Sequence, residues 1–185
     1  MRITSIRIAV AALAAASLAT ASAWATNGKS VDAVWVPKHV TFVYQGFTTH
    51  YSCDGLRDEI ERMLSKMGPK DLKVREQPCA VGAGMPSPFP GVTVHMQVLV
   101  PAGKAHAKAP VVPAHWQKVV LMPSNAGYNE QGNCELIEQF KETFLPLFTT
   151  RNIRYESNCV PHQLSYGTYL STEVLMAPAP PVRGH

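Results

Sequence analysis

The sequence predicts an α+β fold: two tandem strand–helix–strand–strand units forming a two-layer sandwich with a largely antiparallel sheet. Three observations predict it. Cys53, Cys79, Cys134 and Cys159 fall into two pairs spaced 26 and 25 residues apart. Within each pair, an apolar pattern of helical spacing is followed by a stretch that alternates as a half-buried strand does. A shift of 81 residues then places Gly46 on Gly127, Phe47 on Tyr128 and Cys53 on Cys134. The same shift places Leu56, Met63, Leu64 and Met67 on Ile137, Phe144, Leu145 and Phe148, and Val74 on Tyr155. Two copies at so long a period point to one pseudo-symmetric domain, not a solenoid.

The elements follow in order. Residues 34–44 are rich in β-formers. After Cys53, the residues Leu56, Ile60, Met63, Leu64 and Met67 share one helical face. Asp54 and Asp58 suit the positive end of that helix, and Asp58 with Arg62 has i,i+4 spacing. Gly68-Pro69 stops it. A helix over 54–67 climbs about 21 Å and a strand over 72–78 returns about 23 Å, so Cys79 comes back beside Cys53. Residues 92–100 form the strongest strand pattern, with Val92, Val94, Met96, Val98 and Val100 on one face and His95 on the other. Residues 80–91 and 101–114 read as Gly/Pro/Ala-rich connections. The second unit opens with a strand over 116–122 and closes with one over 166–174. Pro146 lies inside its helical pattern and must kink or end that helix.

Residues 1–25 read as a secretory signal peptide: Arg2 and Arg7 precede an apolar run from Ile8 to Ala19, followed by small residues. That run is too short to span a bilayer, and no membrane span is expected after cleavage. Residues 26–176 are then a single pseudo-duplicated, disulfide-stapled domain, with units at about 34–101 and 115–176 and a flexible tail over 177–185. Cleavage leaves 15 basic against 13 acidic residues, a formal charge of +2. That is too little to drive capture of nucleic acid. Periplasmic or secreted residence also fits an even number of cysteines.

Motifs of catalysis are missing. There is no Cys-x-x-Cys and no Gly-x-Ser-x-Gly elbow. Glu59 with Glu61, and Glu135 with Glu138 and Glu142, read as solvated helix faces beside Arg57, Arg62 and Lys141. His39, His50, His95, His106, His115 and His162 could join Met85, Met96 or Met122 around copper, but they lack tight ligand spacing. No catalytic residue, metal ligand set or cofactor is therefore assigned. The paired segments before the two helices are the candidate ligand-binding surface: Phe47, His50 and Tyr51 in the first, Tyr128, Asn129 and Glu130 in the second. Each precedes a helix N-terminus, whose free N–H groups attract anions.

The expected function is that of an exported envelope protein acting as a non-catalytic binding or structural module, with another envelope protein or a small ligand as partner. An envelope hydrolase with a site assembled from distant residues, and a protein binding copper or another metal, are the alternatives. The run from His39 to Arg57, specific at Tyr51-Ser52-Cys53-Asp54-Gly55, resembles small exported proteins of gammaproteobacteria. The resemblance extends through the first helix to the Pro-Phe-Pro-Gly-Val segment at 88–92. It implies an envelope location and no particular chemistry.

Overall fold

The first strand, β1 (Val31–Val43), alternates strictly over its second half: Phe42 and, just beyond the strand, Tyr44 are buried, while His39, Thr41 and Val43 are exposed. A strand so patterned must cover one face and leave the other open. This computed structural model describes residues 29–79, 85–103, 108–122, 133–160, 162 and 168–178. The expected signal peptide and residues 179–185 of the expected tail lie outside them.

The described elements are β1, α1 (Cys53–Ser65), β2 (Lys70–Glu76), β3 (Gly91–Pro101), β4 (Val112–Leu121), α2 (Asn133–Thr143), β5 (Thr150–Glu156) and β6 (Tyr169–Met176). The six strands form one sheet in the order β2-β3-β1-β4-β6-β5, with every pairing antiparallel. Among the described residues, no helix is long and apolar enough to cross a membrane.

Ser52 starts α1 as its N-cap, its hydroxyl accepting from the Gly55 amide at 3.1 Å. Arg62 pairs with Glu59, not with Asp58 as the i,i+4 spacing predicts, and Arg57 takes Asp58 and Glu76. Helix α2 ends at Thr143, and Pro146 sits in the 3-10 turn Leu145–Leu147 that follows, as proline chemistry requires. Strand β4 begins at Val112, earlier than the expected 116, because Val112, Pro113 and Ala114 pair with β1 at the centre of the sheet. A proline is tolerated there because the pairing ends within three residues.

The main core lies between the helices and one sheet face. It joins Leu56, Ile60 and Met63 of α1, Val92, Val94 and Met96 of β3, and Leu136, Ile137 and Phe140 of α2. Both disulfides close within one half: Cys53–Cys79 with a Cα separation of 6.4 Å, and Cys134–Cys159 with 5.6 Å. On the opposite face a small apolar cluster straddles the β1–β4 junction, where Ala33, Leu99, Ala114 and Leu175 pack with Trp35 and Trp116.

The two halves share backbone detail. Asp32 lies opposite Pro113. The β2–β3 ladder slips between Lys70 and Lys73, the β5–β6 ladder between Arg151 and Arg154. Inside these two irregularities Asp71 and Asn152 have φ of 53° and 54°. Asp71 accepts from Gln97 Nε2 at 2.7 Å.

Candidate functional site

The chain leaving β1 must turn before α1, and it does so over the start of α2. Gln45 fixes the approach: its amide donates to Gln139 Oε1 at 3.1 Å and its carbonyl accepts from Gln139 Nε2 at 2.7 Å. Gly46 follows because a Cβ there would collide with the Thr49 carbonyl and the Tyr44 ring. The Phe47 and Thr48 amides then point at Glu135, in the first turn of α2. Glu135 Oε2 accepts from Phe47 N at 3.0 Å, Thr48 N at 3.1 Å and the Tyr44 hydroxyl at 3.2 Å. Its Oε1 accepts from Thr48 Oγ1 at 3.0 Å. Thr48 Oγ1 in turn accepts from the His162 amide at 2.9 Å, and the Phe47 ring meets His162 edge-on at 5.7 Å.

Glu135 is thus 6 % exposed and held by four donors. The expectation of a solvated face at Glu135, Glu138 and Glu142 is corrected for the first two. Glu138 accepts from Tyr155 at 2.8 Å and from Ser157 at 3.2 Å. The physical reason is that the 44–52 loop and the strand after α2 fold over that side of the helix.

The sequence-predicted candidates separate. Phe47 is 60 % exposed and His50 is exposed, whereas Tyr51 is half-buried with its ring edge-on to Tyr44 at 5.1 Å. Tyr128, Asn129 and Glu130 lie outside the described residues. The carboxylate at the centre, Glu135, was not among the candidates. Its only sequence signal is an acid in the first turn of a helix, which many helices share.

Burial, followed by the charge of Glu135, holds the Tyr44 phenol well above its ordinary range. Burial, followed by the charge of Glu59, does the same for Tyr51. Tyr155 is pushed up to about 12, chiefly by burial, with its bond to Glu138 adding to the shift. All three phenols keep their protons in the fold at pH values where an unfolded chain, with phenols near 10.0, releases them. The native state then holds more protons, so the contribution of these phenols to stability is constant below pH 10.0 and falls as pH rises above it. Urea midpoints measured from about pH 8 to about pH 11 should show this one-sided loss, and Tyr44→Phe should make it shallower.

No described buried side-chain nitrogen or oxygen lacks a hydrogen-bond partner. Among the described residues, no three of the His, Cys, Asp and Glu side chains are grouped to hold a metal ion. No protein-family model matches the chain, and no curated protein or solved structure matches it either.

Proposed function

We propose that the chain is a non-catalytic binding or structural module of the cell envelope, made of two copies of one disulfide-stapled unit. The observation that carries this reading is the use made of Glu135. The Phe47 and Thr48 amides of the loop are taken by the protein's own carboxylate. Through Phe47 and Thr48, the first of the two candidate segments is clamped onto α2. Its outward side, Phe47 and His50, is the contact surface we assign to it.

Duplication draws support from the matched ladder slips and from Asp71 and Asn152, which are 81 residues apart and share one backbone conformation. Val31-Asp32-Ala33-Val34-Trp35 against Val112-Pro113-Ala114-His115-Trp116 repeats Val, Ala and Trp at the same shift. An oxidising location draws support from the pairing of all four cysteines.

The test is a turnover screen of the purified exported chain against esters, peptides, phosphoesters and glycosides. No turnover is expected. Turnover abolished by one substitution at a described Ser, His or acidic residue would overturn the reading in favour of the hydrolase alternative.

A further inference from the structure

The sheet face that the described residues leave uncovered carries a chemical feature that neither the core nor the clamp uses. His39 of β1 lies directly opposite His95 of β3, and both are exposed. Their rings stack with centroids 4.1 Å apart and planes 16° from parallel. In this ladder the Tyr44 amide bonds the Pro90 carbonyl and the Ala102 amide bonds the Asp32 carbonyl. Even-numbered β1 positions are therefore the hydrogen-bonded ones, and His39–His95 is a non-hydrogen-bonded pair, the class whose side chains approach most closely.

We propose that His39 and His95 form a two-imidazole site for a divalent late first-row transition-metal ion, Cu²⁺ in preference to Zn²⁺. Imidazole nitrogen suits these ions, and copper stands above zinc in the affinity order for such donors. Histidine χ2 is a broad torsion, so rotation of the rings out of the stack can turn one nitrogen of each toward a shared point above the sheet. The strands hold the two Cβ atoms in place, so the second imidazole binds as an intramolecular ligand.

The surroundings set the strength. Pro37, Lys73, Asp71 and Gln97 line the same shallow depression. Lys73 pairs directly with His95, and its ammonium opposes a bound cation. Asp71, at the ladder slip and accepting from Gln97 at 2.7 Å, adds a carboxylate to the same depression. The fold does not itself need imidazoles here. In the second half, Ser171 pairs with Val120 of β4 on one side and Arg154 of β5 on the other, with no imidazole among them. The inference stands apart from the module reading.

The experiment is titration of the whole exported chain with Cu²⁺ and, separately, Zn²⁺, in wild type, His39→Ala, His95→Ala, the double variant and Lys73→Ala. Both histidines are exposed, and an unchanged thermal midpoint checks that each variant is folded. One equivalent of Cu²⁺ should bind most tightly, with Zn²⁺ weaker. Loss of either imidazole should cost on the order of tenfold to a hundredfold in affinity, as loss of an intramolecular ligand does. Lys73→Ala should strengthen binding severalfold. Wild-type affinity in the double variant, or an unchanged affinity in Lys73→Ala, would overturn the site.

Discussion

Glu135→Ala should lower the stability of the fold by about 3 kcal/mol, read as a drop in urea midpoint at unchanged slope. The carboxylate receives four bonds from Tyr44, Phe47 and Thr48, and the truncated side chain offers them nothing. Bonds to a charged group contribute about 1.5–3 kcal/mol each, but the exposed loop can recover part of this from water. The single Tyr44 hydroxyl proton, shared between Glu135 and the Thr49 carbonyl, then goes wholly to that carbonyl at 3.0 Å. Glu135→Gln is the sharper comparison. An amide oxygen at the Oε2 position can serve the same three donors, and the amide nitrogen can donate to Thr48 Oγ1. The charge is lost and the Thr48 hydroxyl proton must find another acceptor, and the expected cost is about 1–2 kcal/mol. Equal losses for Ala and Gln would mean that charge alone holds the clamp; no loss for Ala would mean that the loop is held by other contacts, Gln45–Gln139 foremost.

The α+β class, the antiparallel sheet and the helix and strand within each cysteine pair were legible because each rests on local periodicity and chain reach. Strand order was not. It is decided at Val31, Asp32 and Ala33, where three pairings join the halves, and β4 was expected to start too late to supply them. The repeated Val-x-Ala-x-Trp segment was the available signal. The clamp was illegible for a different reason. Glu135 meets Phe47 and Thr48 across 88 and 87 residues, and nothing in the pattern around an acidic helix start reports so distant a partner. Spacing alone also misassigned Arg62, which reaches Glu59 because the i,i+3 geometry is equally open to it. His39 and His95 looked scattered for the same reason as the clamp residues. Only the ladder register makes them neighbours.

Removing either disulfide by paired Cys→Ala substitution should cost about 3 kcal/mol, since each closes a loop of 25 or 26 residues that the unfolded chain would otherwise leave open. Against the 5–15 kcal/mol that usually separates folded from unfolded domains, the loss of both should bring this one near its unfolding threshold at ambient temperature. The two single losses should also be nearly equal. Loop length enters only through its logarithm, and both bridges join a helix start to the segment beyond the following strand. Cys53 and Cys134 are buried at 6 % and 2 % exposure, so Ala at either position leaves only a small void where sulfur had packed. Because each bridge fastens one helix to its own following strand, the Cys134–Cys159 loss should expose α2 and the Glu135 clamp to hydrogen exchange before α1. The Cys53–Cys79 loss should reverse that order. A non-reducing peptide map provides the prior check. Links within each half are required, and a bridge from Cys53 to Cys134 would remove the basis for treating the two losses as equivalent.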